Sequence, residues 1–304
     1  MALLSSVDMA TFAARGFLRF DAIVPEEINQ QFLADIGHRP ENEITSPESH
    51  YARVMATSTI PVIAAGSQLK GAYPVGGAVE RILALPEIAG MIRSLVGSSP
   101  VLDHHFLHIT FPPEFYKGNA PVAQHTHQDS TIDTRSAFDI QLLYFPHEVT
   151  ADMGGTRFIP GSHLRVVSEA SIGRYQNIVG QQNVVCPAGT ILVLHMGIWH
   201  GGGANVSDGL RYMFKIRLGP TERQTRLWNV SDLPDNHFDQ RPIFWTGEER
   251  APDDIHTILT EPEPWFEFDT ARLEYINRIR FWRYLLGDDS FDADYWLTRI
   301  ENDY

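Results

Sequence analysis

The chain of 304 residues contains a single cysteine, Cys186. One thiol cannot form an internal disulfide or build a thiolate metal site by itself, so a metal here would be held by histidine and carboxylate. No apolar run is long enough to span a membrane, and the best candidate, residues 190–199, is short and contains His195. The first residues also lack the basic and apolar regions of a signal peptide. These absences favour a soluble, cytoplasmic protein.

Positive charge is also scarce. Lys and Arg total 24 against 38 Asp and Glu, which gives a formal net charge of −14 at pH 7. This balance argues against nucleic acid or an anionic membrane surface as the main partner. The sequence shows no obvious basic cluster suited to a phosphate-rich ligand. A small anionic ligand remains compatible, because one buried arginine can decide local binding.

Helical patterns dominate the first hundred residues. We expect a short helix capped by Asp8 and ending at Gly16, a second after Pro25, and helical residues 77–95 interrupted at Pro86. Residues 45–75 have no clear period and are interpreted as a loop or lid. Overall, 43% hydrophobic and 20% charged residues are typical of a globular chain.

A different pattern follows residue 220. Residues 229–269 predict a long connection, and a helix capped by Asp269 and closed by Gly287 comes next. We expect this helix to pack on the body of the protein, with a homodimer contact as the alternative. Four arginines are expected on its surface: Arg272, Arg278, Arg280 and Arg283. We therefore divide the chain into a domain of residues 1–220 and a C-terminal extension, 221–304, packed on that domain.

Short strands characterise the region from about residue 101. Residues 105–111, 138–145, 183–186, 190–194 and 210–218 are strand-like and are separated by Gly and Pro turns. In the last of these, side-chain alternation places Arg211, Met213, Lys215 and Arg217 on one face. This organisation predicts a mainly β protein with flanking helices and a barrel or jelly-roll core.

The motif Gln124-His-Thr-His-Gln-Asp129 carries the most chemistry. In an extended strand His127 and Asp129 share a face, so they can occupy adjacent corners of a metal. A second histidine would complete the two-histidine, one-carboxylate face of non-haem Fe(II) oxygenases. In a chain with 13 His, about one His-x-Asp arises by chance. We interpret His237-Phe-Asp239, which has no strand context, as that chance match.

Two later motifs strengthen the first. Gly154-Gly-Thr-Arg-Phe-Ile-Pro-Gly-Ser-His163 follows a strand, and His195-Met-Gly-Ile-Trp-His-Gly-Gly-Gly-Ala-Asn205 precedes Arg211. In this order the motifs resemble the phytanoyl-CoA dioxygenase family of Fe(II)- and 2-oxoglutarate-dependent oxygenases, over roughly residues 10–220. The resemblance implies a double-stranded β-helix core, iron ligands His127, Asp129 and His200, and Fe(II), 2-oxoglutarate and O₂ as cofactor and cosubstrates.

The resemblance also assigns residues to 2-oxoglutarate. It implies that Arg211 binds the distal carboxylate, since a guanidinium matches a carboxylate through two parallel hydrogen bonds. A solvated strand arginine is the alternative. Gln124 and Thr156 match cosubstrate-contacting positions, the alternatives being a surface glutamine and a turn-capping threonine. Some relatives carry serine where this chain has Gly202, so one contact to the cosubstrate is missing or replaced.

Other candidates have structural alternatives. His195 competes with His200 for the third ligand position, although a core histidine suits it better. His125 shares the face of His127 and is either a core residue or a group behind the ligands or against the substrate. His104 and His108 share a strand face without a third ligand nearby. The Pro-Gly-Ser-His163 run is interpreted as a structural turn, and Cys186 as a buried, inert thiol.

The functional hypothesis follows from the resemblance. It implies oxidation, most simply hydroxylation, of a C–H bond in a small metabolite or natural product of secondary metabolism, with release of succinate and CO₂. Because related halogenases replace the carboxylate ligand with a small residue, Asp129 disfavours halogenation. We expect residues 45–75 and the stretch after 220 to cover the mouth of the site. Two rivals are a jelly-roll metal-binding protein without oxygenase activity and a scaffold that uses the helix at 270–286.

Overall fold

Strands in the middle of the chain are enclosed by helices from both ends. The computed structural model describes residues 2–121, 123–130, 133, 135–165, 167–174, 177–233, 254–266 and 268–291. Its strands are β1 (Phe17–Phe20), β2 (Val101–Thr110), β3 (Ile140–Phe145), β4 (Thr156–Phe158), β5 (Gln182–Asn183), β6 (Thr190–His195), β7 (His200–Gly202) and β8 (Arg211–Gly219). Its α-helices are α1 (Ser6–Arg15), α2 (Glu26–Asp35), α3 (Pro47–Met55), α4 (Ala78–Ala84), α5 (Pro86–Val96), α6 (Glu169–Ile172), α7 (Ile255–Thr260) and α8 (Phe268–Leu286).

The strands form two antiparallel sheets. The larger has the order β1-β6-β3-β8-β2, and the smaller has the order β5-β4-β7. Every residue of β3 and β6 is buried, because helices cover one face of the larger sheet and the smaller sheet covers the other. Leu143 of β3, Leu192 of β6 and Phe158 of β4 belong to the apolar layer between the sheets. The predicted mainly β fold with flanking helices is therefore confirmed.

Register along β8 determines which side chains reach the space between the sheets. In β2, Thr110 lies opposite Arg211 and Phe106 lies opposite Lys215. Because residues two apart in a strand share a face, Arg211 and Lys215 both point to this space. The alternation predicted for residues 210–218 thus places Arg211 and Lys215 on the face that lines the space between the sheets.

The N-terminal helices differ from the sequence expectation in two places. Helix α1 is capped by Ser5, whose hydroxyl accepts from the Asp8 N–H, while the Asp8 carboxylate accepts from the Ser5 N–H. The prediction that Asp8 caps this helix is therefore wrong. Ser5 is the cap, and Asp8 is the second partner of a capping box. Residues 47–55, expected as loop, form α3 because the Ser46 hydroxyl caps it and Pro47 opens its first turn. The predicted break at Pro86 is confirmed between α4 and α5.

The C-terminal helices pack on α1 and the larger sheet. The region expected as a long connection contains α7, which is capped by the Asp254 carboxylate. Helix α8 begins at Phe268, so Asp269 lies inside it rather than at its cap. Arg278 was expected on the surface but is fully buried, and it donates to the Leu259 and Glu261 carbonyls at the end of α7. The division at residue 220 stays a proposal.

None of the described helices is both long enough and apolar enough to cross a lipid bilayer.

Phe281 packs α8 against the core of the larger sheet. Its fully buried ring packs on Phe138 and His195, with centroid distances of 5.3 and 5.7 Å. We expect Phe281→Ala to lower the free energy of unfolding by about 3–5 kcal/mol in urea denaturation. Leu273→Ala, on the exposed face of α8, should change it by no more than about 0.5 kcal/mol. Equal effects of the two substitutions would contradict this packing.

Candidate metal and cosubstrate site

His127 and His200 face each other across an isolated antiparallel bridge. The His127 N–H donates to the His200 carbonyl and the His200 N–H to the His127 carbonyl, both at 2.9 Å. Directly opposite residues of an antiparallel pair project to the same face. The two imidazoles accordingly lie with ring centroids 4.4 Å apart.

Asp129 joins the two histidines. Its N–H donates to the Met196 carbonyl, and its Oδ1 lies 3.4 Å from Nε2 of His127. One ligand atom from each of His127, Asp129 and His200 lies within 4.8 Å of the others. Within the described part of the chain this is the one cluster of at least three histidine, cysteine or acidic residues with such spacing. Within the motif at 124–129 the only β-bridge is that of His127 with His200, so His127 and Asp129 approach each other without a continuous strand.

Backbone carbonyls orient both imidazoles. Nδ1 of His127 lies 2.9 Å from the His125 carbonyl, and Nδ1 of His200 lies 3.0 Å from the Ile198 carbonyl. Because a carbonyl oxygen only accepts, each Nδ1 carries the hydrogen. Each Nε2 then points towards the shared space between the rings. Histidine ligands of metals are oriented in this way.

Burial and mutual contacts determine the charges of these groups. Burial lowers the pKa of His200 to about 4, so this imidazole is neutral at pH 7. Burial also opposes ionisation of Asp129, but hydrogen bonding to His127 and the positive charge of Lys215 outweigh it and lower the pKa of the carboxyl. For His127, contacts with Asp129 and the His125 carbonyl outweigh burial and raise the pKa. The Asp129 carboxylate is therefore available to a cation.

Arg211 lies in the same cavity and is only 4% exposed. Its Nη2 donates to the Thr110 hydroxyl at 2.7 Å, whereas Nε and Nη1 have no hydrogen-bond partner among the described residues. Burial lowers the pKa of Arg211 to about 10, which leaves the guanidinium charged at pH 7. A buried cation with two unused donors requires an anionic partner.

The cavity around these groups has a volume of about 150 Å³. The other predicted cosubstrate residues also line it. Thr156 lies opposite Gly202 in the smaller sheet, and the Gln124 N–H donates to the Gly202 carbonyl at 2.9 Å. A Cβ at Gly202 would lie 3.9 Å from Nη2 of Arg211, so this glycine leaves space beside the guanidinium.

Three further lining residues were not assigned to this site from the sequence. They are His108 of β2, Gln141 of β3 and Lys215 of β8. Strand alternation had placed Lys215 on the face of Arg211, but nothing in the sequence linked it to Asp129. The described residues that line the cavity fall between 108 and 215, so the expectation that residues 45–75 and the stretch after 220 cover its mouth stays a prediction.

The remaining candidates have structural positions. His195 is fully buried among the rings of Phe12, Phe138 and Phe281, away from the cavity lining. His163 is buried in a short helical turn, and its Nε2 donates to the Ala13 carbonyl. Cys186 is buried, which raises the pKa of its thiol. His237 and Asp239 lie outside the described residues.

A basic groove corrects one expectation from the sequence. Residues far apart in the chain line a groove of about 710 Å³ that contains four arginines: Arg135, Arg223, Arg280 and Arg283. Two carboxylates share it, and Asp133 forms an ion pair with Arg135 at 2.9 Å. Arg280 and Arg283 lie on α8, and folding brings Arg135 and Arg223 beside them from two other segments, so the full group was not visible in the sequence.

The cavity histidine His108 provides a test of the electrostatics. Burial, with smaller effects from Lys215 and Arg211, lowers its pKa from 6.5 to about 4. His108 therefore binds a proton at a higher pH in the unfolded chain than in the folded chain. As a result, the free energy of unfolding decreases as the pH falls from 6.5 towards 4. Between pH 7 and 5 this loss is at most about 2 kcal/mol. Urea denaturation of metal-free protein should show a correspondingly smaller pH dependence in His108→Gln, and an unchanged dependence would contradict the assignment.

Residues 14–213 match the phytanoyl-CoA dioxygenase (PhyH) family model. The uncharacterized proteins Rv1501 of Mycobacterium tuberculosis and Mb1539 of Mycobacterium bovis are each 26% identical over 148 residues, which are 47% of this chain and 50% of theirs. The chain thus spans about half the length of the curated relatives it matches.

Solved structures share the fold at low identity. HygX from Streptomyces hygroscopicus with nickel and 2-oxoglutarate bound is 14% identical, with a TM-score of 0.51 over 72% of this chain and 88% of HygX. SnoK, a non-heme alpha ketoglutarate dependent carbocyclase from nogalamycin biosynthesis, is 16% identical, with a TM-score of 0.50 over 72% of this chain and 85% of SnoK. These similarities confirm the jelly-roll core. By the match across two thirds of its length, the chain belongs to the phytanoyl-CoA dioxygenase family.

Proposed function

We propose that this chain is an Fe(II)- and 2-oxoglutarate-dependent dioxygenase that hydroxylates a C–H bond of a small molecule, releasing succinate and CO₂. One observation carries the proposal. The two histidines of a two-histidine, one-carboxylate cluster line the same cavity as a buried arginine with unused donors. A metal-binding protein without oxygenase activity would need the cluster but not the arginine.

The donor set fits ferrous iron. His127, Asp129 and His200 would be its ligands, through two neutral imidazole nitrogens and one carboxylate oxygen. This combination on one face of the ion, with open positions opposite, is typical of non-haem iron oxygenases. When bound, the ion would couple oxidative decarboxylation of 2-oxoglutarate to oxidation of the substrate. The carbonyls of His125 and Ile198 hold the imidazoles in the orientation this requires.

The cavity also fits the cosubstrate. The guanidinium of Arg211, whose Nε and Nη1 have no partner among the described residues, would donate to the distal carboxylate of 2-oxoglutarate, which would offset the cost of burying the charge. Thr156 and Gln124 would contact other oxygens of the cosubstrate. Gly202 has no hydroxyl to offer, so the guanidinium and Thr110 would carry the carboxylate contact. Leu143 and Met213 supply apolar surface that keeps water from the reacting groups.

The substrate class follows less directly from the site. We propose a small metabolite or natural product, in keeping with the acidic chain and the narrow cavity. The sequence shows no obvious basic cluster, but the groove with four arginines could bind a phosphate. Two carboxylates also line this groove, and one of them, Asp133, forms an ion pair with Arg135. A coenzyme A thioester therefore belongs in any substrate panel.

Anaerobic spectroscopy and product analysis test the reaction class. Titrating 2-oxoglutarate into the Fe(II)-loaded protein should produce a weak visible charge-transfer band, and admitting O₂ should release succinate. Release should rise with the correct member of a panel of metabolites, natural products and acyl-CoA thioesters. His127→Ala should abolish both signals. Metal binding without the band or succinate would favour the non-enzymatic alternative.

Arg211→Gln tests the cosubstrate site. Removing a buried charged partner costs about 2–5 kcal/mol. We therefore expect the dissociation constant of 2-oxoglutarate, measured anaerobically from the charge-transfer band, to rise by at least about 30-fold. Arg93→Gln, at an exposed position on α5, is the matched control and should leave the constant unchanged. Equal affinities of the Arg211 variant and the wild type would exclude this role for Arg211.

A further inference from the structure

The two oxygens of the Asp129 carboxylate have different neighbours. Oδ1 faces the histidines and lies 3.4 Å from Nε2 of His127. Oδ2 accepts a hydrogen bond from Nε2 of Gln141 at 2.6 Å and lies 3.5 Å from Nζ of Lys215. One oxygen is thus directed to the metal position, and the other is already occupied by donors.

The larger sheet positions both donors. Gln141 lies on β3 and Lys215 on β8, and these strands are neighbours. Lys215 is opposite Leu143, two residues from Gln141, so Gln141 and Lys215 are diagonal neighbours on one face. Diagonal side chains of this length reach a common point above the sheet. The carboxylate of Asp129 is held at that point by two rigid strands.

The surroundings of Gln141 indicate which contact its amide makes with the site. The residue is fully buried, and its Oε1 has no hydrogen-bond partner among the described residues. A buried acceptor without a partner is destabilising. Rotating the amide would not relieve this, because Oε1 would then face the negative Oδ2. The contact of this amide with the site is therefore the donation from Nε2 to Asp129.

We propose that Gln141 and Lys215 are positioning residues that restrict Asp129 to metal binding through Oδ1 alone. The inference rests on the proposed function, since it assigns a role to residues that contact a proposed metal ligand. Two imidazoles and one carboxylate oxygen leave three positions of a six-coordinate ion open. If Oδ2 also bound, two would remain, and a chelating 2-oxo acid would occupy both. Holding Oδ2 away from the ion preserves the third open position.

Lys215 also balances charge without competing for the metal. Its ammonium offers donors only, so it attracts the carboxylate but cannot ligate a cation when protonated. It is 13% exposed at the side chain and lines the cavity. Methionine matches its length without the charge, so Lys215→Met removes the ion pair with little change in volume.

Cobalt(II) binding to the full-length protein tests the proposal independently of turnover. Co(II) dissociation constants and visible absorption spectra would be measured for Lys215→Met and Gln141→Leu, before and after 2-oxoglutarate is added. The conservative variant is Lys215→Arg, and Lys70→Met, at an exposed position, is the matched control for loss of a lysine. Circular dichroism would verify folding, and Lys215→Met carries the test alone if the buried Gln141→Leu variant does not fold.

We expect Lys215→Met and Gln141→Leu to change the Co(II) spectrum, because Oδ2 would then also bind the ion, and to bind 2-oxoglutarate to the Co(II) protein about 10- to 100-fold more weakly. Lys215→Arg should restore most of the 2-oxoglutarate affinity and the wild-type spectrum, and Lys70→Met should match the wild type. A wild-type Co(II) spectrum and wild-type 2-oxoglutarate affinity in folded Lys215→Met would overturn the inference while leaving the proposed function intact. Failure of the wild type to bind Co(II) and 2-oxoglutarate would overturn both.

Discussion

The reciprocal backbone hydrogen bonds between His127 and His200 are the contact on which the site depends. They bring together two segments that are far apart in the chain and set both imidazoles on one face. A shift of one residue in this pairing would turn one imidazole away. Gly201 allows the close approach, because a Cβ there would lie 2.9 Å from the carbonyl oxygens of Gln124 and His125.

The sequence predicted the features that depend on spacing along a strand. Alternation placed Arg211 and Lys215 on the same face of β8, and the structure has both lining one cavity. Spacing placed His127 and Asp129 on one face, the family resemblance added His200, and in the structure one ligand atom from each of the three lies within 4.8 Å of the others. Features that depend on alternation are predictable because side chains two residues apart in a strand point to the same face, whatever the strand packs against. Their roles towards iron remain proposals.

Features that depend on which segments meet could not be predicted. Gln141 lies in an apolar strand, and its sequence gives no sign that Asp129 lies within hydrogen-bond distance of it. Arg278 was expected on the surface with the other arginines of α8. Instead α7 packs over it, and carbonyls at the end of α7 accept hydrogen bonds from its guanidinium. In the basic groove, Arg135 and Arg223 likewise join the two arginines of α8 from distant segments. The periodicity of a sequence indicates which residues share a face of one helix or strand, but it does not indicate which other helix or strand packs against that face.

The most direct test of the account is a crystal structure of the protein with a bound divalent metal, located by its anomalous scattering. The account predicts a single strong peak about 2.0–2.2 Å from Nε2 of His127, Nε2 of His200 and one oxygen of Asp129, a normal ligand distance for a first-row metal. A peak elsewhere, or imidazoles that do not share one ion, would contradict the account at its base.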